Sequence, residues 1–314
     1  MNNESISKIL MNKIFLLIFV FIILFTITIN RQMFVDEGLW FYIGKIWVEN
    51  DIPPYTGSVE NKTPAIFELY AISHYFFEDS LIPMRLLGIL ATLGTMLTLN
   101  KILETHHSKF AGRLAMLIYG LTMSWGVLDG QYPSLTENFL CLFSSMTFMF
   151  FLDALRKNGK MRNLKLLYAA LCVSMAISFK QIAIVTLMFL IISLALYKNN
   201  EISIKQKFIS VVILISGCIF TTFLILIPLF ISGVGLNDYF YGAWVILLNN
   251  GSHNNFLDGF YEFFNVWTNS RIVTFYPLII LLFFNKELFR DKYFLLMIIW
   301  LFFEFIGINA SGYF

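Results

Sequence analysis

Nine apolar runs dominate the sequence, and they leave few folds open to it. They lie at 12–30, 82–103, 111–128, 135–155, 166–179, 182–197, 208–232, 272–284 and 293–308. Several are long enough to cross a bilayer as helices, and a chain in lipid must satisfy its backbone polar groups internally. Only 13% of the residues are charged and the mean hydropathy is +0.73, whereas soluble domains carry about a quarter charged residues. The expected class is an all-α polytopic membrane protein. The net charge of +2 comes from bases scattered between spans, so nucleic acid is excluded as a partner and membrane lipids are implied.

Orientation follows from the bases. Lys8 and Lys13 precede the apolar run Ile14 to Asn30 of the first span and no small-residue cleavage site follows it, so it reads as a retained signal-anchor with a cytoplasmic N-terminus. Nine spans then place 16 of the 22 Lys and Arg residues inside and six outside, as the positive-inside rule requires. Residues 166–197 also admit one long helix with Lys180 at its centre. That topology would leave 11 bases inside and 10 outside, so two short spans with Lys180 at an outer turn are preferred. Cys141, Cys172 and Cys218 sit singly in apolar runs and read as small core residues. No ligand spacing asks for a metal, and no cofactor is expected.

Two outer loops remain, 31–81 and 233–271. In the first, Leu39, Trp40, Ile43, Ile46 and Trp47 recur at helical spacing and predict an interfacial helix over 37–49. Pro53-Pro54 stops it. Thr63 as N-cap and Pro64 at the first position open a second, mostly apolar helix. The late loop is rich in aromatic and amide residues, among them Tyr239, Tyr241, Trp244, Asn249, His253 and Trp267.

The first loop also concentrates charge. Asp36 and Glu37 are carboxylates at the outer end of a span, suited to acid/base work or to ending a helix in water. Lys62 and Arg85 are two of the six outer bases and suit a phosphate, although Arg85 also suits snorkelling to headgroups. Glu137 fits either chemistry or a capping box folded onto Ser134. Asp129 reads as a turn former, His106-His107 as solvated. Lys180 and Glu304 are ionisable residues in apolar surroundings, and Tyr55 follows the Pro-Pro break.

Taken together, Asp36-Glu37, Pro54-Tyr55, Lys62-Thr63-Pro64 and Arg85-Leu86, with Thr136-Glu137 and Phe179-Lys180-Gln181 further on, resemble the dolichyl-phosphate-mannose protein mannosyltransferases. Their bacterial members include the lipid A aminoarabinose transferases, and all belong to the GT-C glycosyltransferases. The resemblance implies a single GT-C-type helical bundle over 1–314, with interfacial helices in its first outer loop. It implies transfer of one sugar, with inversion, from a polyprenyl-phosphate carrier to a lipid, glycan or protein acceptor on the outer face of the membrane. In those roles Asp36 is the general base and Glu137 a second acid on the acceptor side. Lys62 and Arg85 hold the donor phosphate, while Glu37, Tyr55 and Lys180 line the site. Some aminoarabinose transferases carry an Arg soon after the acidic pair, where this chain has Gly38-Leu39-Trp40. The family usually runs on into further spans, so a chain lacking C-terminal spans is expected. The Asn-, Lys- and Ile-rich usage suits a bacterial inner membrane. A flippase for a lipid-linked sugar would also want outer charges, but no internal repeat is visible. A glycan ligase or polymerase would place bases in its late outer loop, where 233–271 has only Arg271.

Overall fold

The computed structural model describes residues 12–57, 60–128, 132–196, 203–246 and 291–310, for the last of these without the side chains of residue 305 and residues 307–310. Every regular element among them is helical. In order these are α1 (Lys13–Thr28), α2 (Val35–Asn50), α3 (Pro64–Phe77), α4 (Ile82–His106), α5 (Lys109–Leu128), α6 (Thr136–Leu155) and α7 (Gly159–Phe179). A 3-10 turn (Gln181–Ala183) leads into α8 (Ile184–Leu196) and α9 (Ile204–Ile231). The short α10 (Leu236–Phe240) runs into a π-helical turn (Tyr241–Val245), and α11 (Lys292–Ala310) closes the described chain. The expected span 272–284, Asp129 and most of the late loop lie outside the described residues.

The protein is an all-α integral membrane protein. Helices α4, α6, α7 and α9 are long and apolar enough to cross a bilayer, and Lys13–Thr28 and Gln181–Leu196 are shorter apolar helices. Their outward faces carry exposed Ile18, Ile22, Leu90, Leu97, Phe220 and Phe223, which lipid, not water, would solvate. Inside the bundle, hydroxyls return to their own helix. Thr28, Thr95, Ser178 and Ser210 each donate to the carbonyl four residues back, which satisfies a polar group without a partner from another helix.

Two packed regions define the two ends of the bundle. At one end, Phe148, Phe151, Leu155, Leu166, Ala169, Phe189, Leu194 and Leu214 join α6, α7, α8 and α9. At the other, Trp40, Ile43, Ile66, Phe67, Tyr70, Met84, Phe139 and Phe179 knit α2 and α3 onto α4, α6 and α7. Lys180 lies at the second end. It interrupts the helix with extended backbone (φ −154°, ψ 125°), and α8 returns toward the first end, where Leu194 packs with Leu155 and Leu166. Residues 166–197 therefore form two helices broken at Lys180, not one long helix.

The two interfacial helices form with adjusted faces. Helix α2 starts at Val35 and buries Glu37, Trp40, Ile43 and Gly44, while Leu39 stays exposed. Gly44 allows the helix pair to close: a Cβ there would stand 2.7 Å from the backbone at Tyr70 and Ala71. Helix α3 has Thr63 at its N-cap and Pro64 in the first turn as expected. The Thr63 hydroxyl makes no capping bond, however, and is buried without a partner. Of the other structural expectations, His107 is exposed as expected, while His106 is partly buried, its ring tilted 44° against Tyr293 with centroids 4.3 Å apart. Glu304 accepts from Trp300 Nε1 and from the Thr186 hydroxyl. Cys172 and Cys218 are buried, Cys141 is partly buried, and all three are free.

Candidate active site

The site is built on an ion pair that the sequence does not announce. Glu37 is fully buried and Arg85 is 2% exposed. Arg85 Nε donates to Glu37 Oε1 at 2.9 Å and Nη2 donates to Oε2 at 2.7 Å. Nη1 donates to the Thr28 and Arg31 carbonyls at 2.7 and 2.9 Å, and Nη2 to the Gln32 carbonyl at 3.3 Å. Every N–H of the guanidinium is thereby committed. The Arg85 side chain also lies over the Tyr132 ring, 5.3 Å from its centroid. Glu37 accepts in addition from the Ser134 hydroxyl at 2.6 Å and the Phe34 amide at 3.3 Å. Gly88 makes this possible, because a Cβ there would overlap the Pro133 carbonyl at 1.9 Å and push Ser134 away.

Arg85, expected beside Lys62 on a phosphate, has its N–H groups engaged within the protein in this structure. Glu37, expected among the lining residues, is fully buried in the pair with Arg85. One local expectation changes. Ser134 does not cap α6 with Glu137; Leu135 holds the N-cap position and the Ser134 hydroxyl serves Glu37.

The anchor holds Asp36, the next residue on α2, partly exposed and with no hydrogen bond or ion pair among the described residues. Its charge is felt at Glu60 and at Tyr70. Glu60 lies on the segment leading to Lys62. Its Oε1 accepts from the Asn61 amide at 2.9 Å and stands 4.0 Å from Lys62 Nζ. Burial pushes the Glu60 carboxyl up and the Asp36 charge adds to that, against the pull of Lys62. Among the described residues Lys62 Nζ is otherwise held only by Asn61 Oδ1 at 3.3 Å, which leaves the cation available to an anion.

Tyr55 fixes the Lys62 segment. Its backbone is left-handed (φ 70°), a conformation costly for a bulky residue. The side chain offsets that cost: its hydroxyl donates to the Lys62 carbonyl at 2.6 Å, and its ring meets Phe67 and Tyr239 edge-on. Buried Gln181 donates to the Asn61 and Ala243 carbonyls, tying the same segment to the turn after α10. Glu137 and Lys180 meet in an ion pair at 2.5 Å, with side chains 49% and 27% exposed.

Glu60 and Glu68 went unmarked among the sequence candidates. Glu60 stands two residues before Lys62 and was legible as a carboxylate in the same short segment. Glu68 Oε1 is buried without a partner, and burial pushes its carboxyl up to about 8; no motif marks it. No group of three or more His, Cys, Asp and Glu side chains placed to hold a metal ion occurs among the described residues. Beside the site, an apolar groove of about 630 Å³ runs along α9, lined by Cys218, Thr222, Phe223, Leu226, Phe230 and Leu236 among others. Leu226 also packs in the cluster that holds Tyr55 and Tyr239.

A family model for dolichyl-phosphate-mannose-protein mannosyltransferases matches residues 61–226, just over half of the chain. The chain belongs to this family. The matched stretch of this mannosyltransferase-family protein includes Lys62, Arg85, Ser134, Glu137, Lys180 and Gln181, while Asp36, Glu37 and Glu60 precede it. No curated protein matches the chain. Membership makes it a membrane glycosyltransferase of the GT-C type.

Proposed function

We propose that this glycosyltransferase moves one sugar from a polyprenyl-phosphate carrier to a hydroxyl or amine acceptor at the Asp36 end of the bundle. The observation that carries the reading is Asp36. It is a carboxylate with no partner among the described residues, on a helix end that Glu37 and Arg85 hold from below. A general base has to be rigidly placed and unencumbered to accept the acceptor's proton. Attack by that acceptor on the anomeric carbon, from the face opposite the phosphate, breaks the bond from carbon to phosphate oxygen and inverts the centre.

Lys62 then stabilises the charge that develops on the departing phosphate. Arg85 acts one layer away, as a positioning residue for Asp36. Glu137, paired with Lys180, lines the acceptor side. The α9 groove has an apolar lining that suits an isoprenoid chain, and its Leu226 packs in the Tyr55 cluster. The bias of bases supports an outer-face position for the Asp36 end and a cytoplasmic N-terminus, and a bacterial inner membrane suits the composition. The chemistry assigned to these side chains needs neither metal nor other cofactor.

The test uses the protein purified from membranes, incubated with radiolabelled polyprenyl-phosphate sugars and membrane extract. Label should pass to a new acceptor, and Asp36→Asn should abolish transfer while donor lipid still binds. Transfer undiminished in Asp36→Asn would sink the base assignment. Label that changes leaflet without changing carrier would mean a flippase instead.

A further inference from the structure

A second charged site lies at the opposite end of the bundle, independent of the sugar-transfer reading. Arg162 is in the first turn of α7 and is 4% exposed. Its Nη2 donates to Ser210 Oγ on α9 at 2.7 Å, and Ser210 passes its own proton to the Gln206 carbonyl at 2.7 Å. Arg162 Nε is buried with no partner among the described residues. No carboxylate among the described residues pairs with it. Asp153, the acid at this end of α6, is taken by Lys165 at 3.1 Å.

A buried guanidinium without a counter-ion is among the least favourable arrangements a protein can hold. Snorkelling would relieve it in full, but the residue is only 4% exposed. The backbone adds to the positive potential. Asn158 at the N-cap makes no side-chain bond to the first turn of α7, so free N–H groups and the positive end of the helix dipole lie beside Arg162. Lys160 stands on the same turn.

We propose that the Arg162–Ser210 junction between α7 and α9 binds the phosphodiester of an anionic membrane phospholipid. The planar fork of Arg162 matches two phosphate oxygens, and basic recesses between membrane helices recognise such headgroups. A lipid fits better than free phosphate because the rim is apolar: Met161, Ile204 and Phe208 are 51%, 87% and 69% exposed around the same turns. A headgroup arriving from the bilayer brings acyl chains that cover this rim.

The experiment follows thermal unfolding of the full chain in detergent with added phosphatidylglycerol, phosphatidylcholine or inorganic phosphate. Phosphatidylglycerol should raise the midpoint of the wild type, as a ligand of the folded state does, and phosphatidylcholine should not. Arg162→Met, which removes an unpaired charge and should fold at least as well without lipid, should lose the shift. Arg162→Lys, keeping the charge without the fork, should retain part of it. An equal shift in Arg162→Met, or none in the wild type, would overturn the site. Inorganic phosphate reproducing the shift at the same concentration would overturn the lipid assignment.

Discussion

Arg85 closes on both carboxylate oxygens of Glu37, at 2.9 and 2.7 Å, across 48 residues of sequence. The pair is out of water, so its Coulombic gain is largely offset by desolvation, while breaking it strands a buried charge at about 3–5 kcal/mol. Glu37→Gln and Arg85→Met should each destabilise the protein by that order. The double variant should lose less than the sum, because it leaves neither charge unpaired. Denaturation in detergent measures all three. Strict additivity would mean that the two side chains stabilise the fold through other contacts.

Lys62 should behave in the opposite way. Its contacts are one amide oxygen at 3.3 Å and one carboxylate at 4.0 Å, weak enough that Lys62→Met should change stability by less than about 1 kcal/mol. Turnover should fall roughly 10²–10³-fold, the usual cost of removing one preorganised group that stabilises developing charge. Unfolding curves beside single-turnover sugar transfer separate the two. A stability loss without a turnover loss would make Lys62 a structural cation.

The division between legible and hidden follows from what sequence distance encodes. Helix α3 was readable because Thr63, Pro64 and a run of apolar residues act locally. The break at Lys180 was readable because the bias of bases is a property of the whole chain. The engagement of Arg85 was hidden because its partners, Glu37 and the carbonyls at the end of α1, come from 48 to 57 residues away. Ser134 was misread for the same reason: a local capping pattern lost to a carboxylate 97 residues distant. Gly88 decides that contest by letting Pro133 approach, and nothing in its sequence context says so. Glu60 lay in plain view, but only burial near Asp36 distinguishes it from a solvated acid.

Glu68 predicts a pH dependence of stability. Burial pushes its carboxyl up to about 8 from 4.5, so between those values the unfolded chain releases a proton that the folded one keeps. The contribution is fully present below about 4.5 and is lost as pH rises to about 8. Its slope is at most about 1.4 kcal/mol per pH unit, the value of one proton. Glu68→Gln should flatten that part of the profile and make the protein more stable than wild type above pH 8. An unchanged profile would mean that the carboxyl is solvated in the folded protein.

The Glu137–Lys180 pair separates structure from function more sharply than any other contact here. At 2.5 Å it is short, yet both side chains are partly open to solvent, and exposed pairs contribute about 0–1 kcal/mol to stability. A merely structural role would therefore leave every variant near wild type in both unfolding and transfer. If the pair orients Glu137 toward the acceptor, Lys180→Met and Glu137→Gln should each unfold near the wild-type midpoint and lose transfer about tenfold or more. The double variant should be no slower than the worse single one, as residues acting as a unit are non-additive. Additive losses would assign the two residues separate tasks, with Lys180 facing the donor rather than Glu137. Near-normal transfer in all three would remove the pair from the site.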